Sequence, residues 1–112
     1  MNTAILVRHR SKPGMRERVR SVWEKHVRPR VADNPEHLSY FYCFDHNDAD
    51  VICAFQVYSD ATAPERFMAG PWYDAYLAEI APLVAESPQI SACKVEWAKP
   101  PDPRGGTVSV TS

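Results

Sequence analysis

Two consecutive runs of this 112-residue chain, Leu38 to Phe44 and Val51 to Tyr58, are apolar or aromatic at both alternating positions. One parity carries Phe41, Cys43, Cys53 and Phe55; the other carries Tyr40, Tyr42, Phe44, Ile52 and Ala54. Successive side chains of a strand point to opposite faces, and a face left to solvent alternates with polar residues. Both faces of this pair of strands therefore need cover. Asp45-His46-Asn47-Asp48-Ala49-Asp50 is a turn cluster that folds the runs into a hairpin. A turn centred on Asp48 sets Cys43 opposite Cys53 and Tyr40 opposite Gln56.

The flanking segments supply the rest of the fold. Residues 3 to 9, Thr-Ala-Ile-Leu-Val-Arg-His, form a first strand that stops at the turn signal Ser11-Lys12-Pro13-Gly14. Met15, Val19, Val22, Trp23, His26 and Val27 then recur at steps of three and four, the stripe of an amphipathic helix that Pro29 ends. Val31 to Pro35 is expected as a loop. Ser59-Asp60-Ala61-Thr62 opens a second helical region, broken at Gly70-Pro71 and continued with Tyr73, Tyr76, Leu77, Ile80 and Val84 on one stripe. Gln89 to Trp97 is a last strand.

The order β-α-β-β-α-β predicts an α+β, ferredoxin-like domain over residues 1–98, a four-stranded antiparallel sheet with both helical segments on one face. Two helices cannot cover both sides of the central hairpin. The second face is accordingly expected to be buried by another copy of the chain, giving a homodimer with a two-sheet barrel. Residues 99–112 carry no core signal and are expected as a flexible tail.

Composition narrows the function classes. At 45% hydrophobic and 24% charged the chain is far from the disordered regime, and no run approaches the roughly 18 apolar residues of a membrane span. Arg8, His9 and Arg10 directly follow the first apolar stretch, unlike a signal peptide. The expectation is a soluble, cytoplasmic protein without a membrane partner. Cys43, Cys53 and Cys93 are an odd set without CxxC spacing and are expected as buried thiols. Residues 1 to 30 hold nine Lys or Arg against Glu17 and Glu24, yet no nucleic-acid motif accompanies them, so a solvated helix face is expected and no nucleic-acid partner.

Strong catalytic signatures are missing. There is no GxGxxG, GxxxxGK[ST], GxSxG or HExxH. The histidines at 9, 26, 37 and 46 have no helical i, i+3 or i+4 spacing, and the turn from Asp45 lacks the Gly and Glu of a calcium loop, so no metal is expected. What stands out is aromatic density beside polar groups: Trp23 and His26 on the first helix, Tyr40, Tyr42 and Tyr58 on the hairpin, and Trp72, Tyr73 and Tyr76 after Gly70-Pro71. Singly each is an ordinary core residue; together, between sheet and helices, they outline a pocket for a flat aromatic ligand.

Several of these segments carry a resemblance. Val7 to Gly14 ending in Lys-Pro-Gly, Asn34-Pro35-Glu36-His37-Leu38-Ser39-Tyr40, Phe55-Gln56-Val57-Tyr58-Ser59-Asp60 and the Pro71-Trp72-Tyr73 helix start resemble the antibiotic biosynthesis monooxygenase family over about residues 3 to 98. The resemblance implies a ferredoxin-like homodimer with an α+β barrel. It also implies a small monooxygenase that oxidises quinols, anthrones or related phenols with O2 and no flavin, metal or other cofactor. Tyr40 matches the family tyrosine. Glu36 stands where the family often has Gly, Gln56 and Tyr58 where it has Glu and Trp, and Phe67 where it has His. Val7 stands where haem-degrading relatives carry Asn, which disfavours haem degradation.

Such an oxygenase deprotonates an electron-rich phenol or anthrone, so that its carbanion reduces oxygen directly in a dry pocket. The catalytic set expected here is His26 or His37 as base with Tyr40, and the substrate-binding set is Trp23, Tyr58, Trp72, Tyr73 and Tyr76. Two alternatives stay open: a non-catalytic dimeric barrel that binds a hydrophobic small molecule, and an isomerase or cyclase using the same cavity.

Overall fold

A computed structural model describes residues 2–100. The elements run β1 (Thr3–Arg10), α1 (Arg16–His26), α2 (Arg28–Asp33), β2 (His37–Phe44), β3 (Val51–Tyr58), α3 (Ala63–Phe67), α4 (Pro71–Ile80), a 3-10 turn (Ala81–Leu83) and β4 (Gln89–Lys94). The strands form one sheet in the order β2-β3-β1-β4, with every neighbouring pair antiparallel. This is the α+β, ferredoxin-like arrangement that the sequence predicts.

The hairpin register matches the expectation, with Cys43 opposite Cys53 and Tyr40 opposite Gln56. Its turn is held from across the molecule. Nη1 of Arg16 donates to the carbonyls of Asp45, Asp48 and Val51, and its guanidinium lies 4.0 Å from the centre of the Phe44 ring. Gly14, at φ +76°, supplies the left-handed residue that reverses the chain between β1 and α1, and its N–H donates to Asp50.

Four expectations are corrected. Val31 to Asp33 is not loop but the end of α2, because Pro29 sits in that helix's first turn, where a missing N–H costs nothing. Val84 lies beyond α4 in extended conformation and bridges to Ser11. The last strand ends at Lys94 rather than Trp97. The thiols are not buried within the single chain: Cys43 and Cys53 are half-buried and Cys93 is exposed. The register explains this, since all three lie on the sheet face without helices, beside Ala4, Leu6 and Arg8. Of the expected tail, positions 101–112 lie outside the described residues.

The helix-covered face carries Val19 and Val27 of the α1 region, Ile52, Ala54 and Tyr58 of β3, Ala63 and Ile80, all buried. The other face presents Phe41, Phe55 and Leu6 abreast on three adjacent strands, 44%, 43% and 37% exposed. Among the described residues no helix is long and apolar enough to cross a membrane.

Candidate functional site

A cavity of about 190 Å³ lies between the sheet and the helices. Its floor is the helix-facing parity of the strands: Ile5, Val7 and His9 of β1, Tyr40 and Tyr42 of β2, Ala54, Gln56 and Tyr58 of β3. Phe67 and Met68 at the end of α3, and Trp72, Tyr73, Tyr76 and Ile80 of α4, form its roof. Gly70 makes room for that roof, because a Cβ there would meet Cδ1 of Trp72 at 2.7 Å. Phe67 and Trp72 meet edge to face, their ring centres 5.1 Å apart.

The polar groups at one end of the cavity lie close together, several of them joined by hydrogen bonds. Oε1 of Gln56 accepts from the Tyr58 hydroxyl at 2.8 Å and pairs with Nε2 of His37 at 3.0 Å. Nδ1 of His37 lies 2.9 Å from Nδ2 of Asn34. The amide can only donate and Oε1 can only accept, so the proton of the neutral imidazole sits on Nε2 and both ring nitrogens are used. The bonds consume Oε1 of Gln56 and leave its N–H groups without a partner among the described residues. Beside it Tyr40 accepts from Nε1 of Trp23 at 3.0 Å and keeps its own proton to donate. Burial pushes the Tyr40 hydroxyl up to about 12, and Tyr58, Tyr73 and Tyr76 are raised for the same reason, so all are neutral donors at neutral pH.

His37 reaches this cluster through an irregularity. The β2–β3 register shifts between His37 and Ser39, which places His37 opposite Tyr58 and turns Leu38 out to solvent. Without that extra residue His37 would follow the parity of Phe41 and Cys43 onto the other face.

Of the residues expected at the site, Tyr40, Tyr58, Trp72, Tyr73 and Tyr76 line the cavity. His37 stands behind Gln56 and against Phe67, with ring centres 4.5 Å apart. Trp23 is one layer back, stacked on Tyr42 at 4.0 Å and bonded to Tyr40. His26 is not at the cavity: its Nε2 pairs with Glu79 of α4 at 3.0 Å, beside Lys25. No group of three or more His, Cys, Asp or Glu side chains that would hold a metal ion is found among the described residues.

Two polar residues of the cavity, Gln56 and His9, were outside the expected site set. His9 lines the cavity, and its Nε2 is buried without a hydrogen-bond partner. Its parity with Ile5 and Val7 was the available signal, hidden by the charges of Arg8 and Arg10. Burial pulls His9 below the ordinary 6.5, outweighing the nearby Glu86 backbone and carboxylate, and His37 is lowered by burial against the Gln56 bond.

Both depressed histidines bind protons more readily once the chain unfolds, so the unfolded state holds more protons below pH 6.5. Their contribution is present above that value and is lost as pH falls through the lowered folded values. Thermal unfolding followed by calorimetry is expected to show a midpoint that declines from about pH 7 to about pH 5. The decline should be shallower in His37→Gln; an unchanged slope would show that His37 is not held neutral.

No protein-family profile and no curated protein sequence matches the chain. Solved structures do. SnoaB, a cofactor-independent oxygenase from Streptomyces nogalater, superposes with a TM-score of 0.74 at 14% identity, over 88% of this chain and 97% of that one. A provisionally named antibiotic biosynthesis monooxygenase from Caulobacter crescentus gives 0.77 at 18% identity, over 85% and 91%. Rv0793 from Mycobacterium tuberculosis gives 0.74 at 18%, over 88% and 100%. The chain thus has the fold of antibiotic biosynthesis monooxygenases, and at these identities the chemistry rests on its own residues.

Proposed function

We propose that this chain, folded like the antibiotic biosynthesis monooxygenases, is a small oxygenase that oxidises a phenolic or quinol-type aromatic substrate with O2 and no cofactor. The observation that supports it is the meeting of two neutral donors, the Tyr40 hydroxyl and the Gln56 amide, inside an aromatic-walled cavity. Donors held in a dry site stabilise an oxyanion far better than water-exposed ones. The substrate ring lies between the floor and Trp72, Tyr73 and Tyr76, with its oxygen on Tyr40 and Gln56. Trp23 fixes Tyr40, and His37 fixes Gln56 as a positioning residue.

Deprotonation gives an enolate whose charge collects at that oxygen and whose electron density at carbon reduces O2. One oxygen atom becomes a carbonyl at the reacting carbon and the other leaves as water, which takes the two hydrogens lost, one from that carbon and one from the hydroxyl. The cavity of about 190 Å³ is below the roughly 300–1,000 Å³ of drug-sized ligand sites. A substrate of one or two rings fits it better than a four-ring polyketide.

The helix-free face supports a homodimer, in which a second copy covers Phe41, Phe55 and Leu6. A binding module, or an isomerase or cyclase that starts from the same enolate, is the second reading, favoured by Gln56 and Phe67 standing in place of an acid and a histidine. Oxygen uptake separates the two. Metal-stripped protein with a panel of naphthols, hydroquinones and anthrones is expected to consume O2 above buffer and heat-denatured controls. Binding without uptake would move the conclusion to the second reading.

A further inference from the structure

The cavity has a second polar end. Gln56 pairs with Ile5, and His9 lies four residues further along the same strand, opposite Ile52. At about 3.3 Å per residue the two stations are about 13 Å apart along the sheet, with the apolar Val7 and Ala54 between them. Nε2 of His9 is buried and has no hydrogen-bond partner. With the ring's proton on Nδ1, Nε2 is a bare acceptor. An unmet buried acceptor is destabilising, and a ligand hydroxyl would recover that cost. Rotation within the broad χ2 well of a histidine turns this edge toward the cavity without moving the strand.

We propose that His9 is a specificity-determining residue that accepts a hydrogen bond from a second hydroxyl of the ligand, opposite the oxygen held by Tyr40 and Gln56. Subtracting about 2.8 Å for a hydrogen bond at each end leaves roughly 7–8 Å between the ligand's polar atoms. That is the span of a fused two-ring aromatic with a hydroxyl on each ring; a single-ring hydroquinone is too short to reach both stations. In an oxygenase the same Nε2 takes the hydroxyl proton: the O–H bond breaks, its electron pair stays on oxygen, and an N–H bond forms. This proton step rests on the oxygenase reading, whereas the binding step does not.

Calorimetric titration of the full chain with 2,6-dihydroxynaphthalene and with 2-naphthol tests the binding step without turnover. The unaltered protein is expected to prefer the dihydroxy compound by about tenfold, the worth of one good hydrogen bond to an otherwise unmet acceptor. His9→Phe keeps ring volume and removes the acceptor, so it should bind both compounds equally. His9→Gln offers a carbonyl oxygen, and should keep part of the preference if the larger change disturbs folding. Equal binding of the two compounds by unaltered protein overturns the proposal, as does a preference that survives in His9→Phe, or binding of neither. A preference lost in His9→Phe with no oxygen uptake would sustain the specificity role and sink the oxygenase reading alone.

Discussion

Phe55→Lys is expected to leave a folded monomer where the unaltered chain forms the proposed dimer. Phe41, Phe55 and Leu6 stand abreast on β2, β3 and β1, each more than a third exposed in the single chain. Around them lie Ser39, Val57, Ala4, Cys43 and Cys53, a surface with few charges. Two such sheets pack face to face about 10 Å apart, and a two-fold axis brings the same patch against itself. One substitution therefore buries two ammonium groups near the axis, each costing several kcal/mol when unpaired. Lysine is chosen over an acid because Arg8 lies diagonally on the same face, where it would pair with a carboxylate and repel a cation.

Light scattering at micromolar concentration reads the mass directly. Thiol modification gives an independent reading: Cys43 and Cys53 lie on the face that the proposed dimer would cover, so they should react slowly in the dimer and faster in Phe55→Lys. Phe55 contributes little to the single chain's own core, so its unfolding midpoint should fall only slightly. A monodisperse unaltered monomer, or a variant that stays dimeric with protected thiols, would put the interface elsewhere.

The features that set this fold are those with a strict period. β3 and the hairpin register follow from two apolar runs around an acidic turn, since a slip of one residue would exchange the two faces. α2 was hidden because a proline ends one helix and begins another with equal ease, and the sequence marks the first role more strongly. The site was legible where residues follow their element's parity, as Tyr40, Tyr58 and the α4 aromatics do. His37 was named as a candidate, but how it reaches the cluster was hidden, because its face is reversed by a register shift that no composition signal announces. A helical stripe is about 100° wide, which is too coarse to tell a residue facing the cavity from one facing the next helix. His26 is on the stripe and yet reaches Glu79 rather than the cavity.

Gln56→Leu is expected to lower kcat by about 10²–10³, the usual effect of removing one oxyanion donor. The change has two separable parts. Loss of the amide N–H removes a donor from the substrate oxygen, and loss of Oε1 leaves the Tyr58 hydroxyl and Nε2 of His37 unsatisfied at about 1–3 kcal/mol each. The unfolding midpoint should therefore drop together with turnover. Gln56→Glu separates the parts, because a carboxylate still accepts from Tyr58 and His37 and restores packing and stability. It also raises the proton affinity of His37 by placing a negative charge 3.0 Å from Nε2. The same charge repels a developing enolate, so the acid variant should regain stability without regaining activity. Initial rates of oxygen uptake beside thermal unfolding curves decide it. Full activity in Gln56→Glu would show that this position orients its neighbours and never meets the charge on the substrate.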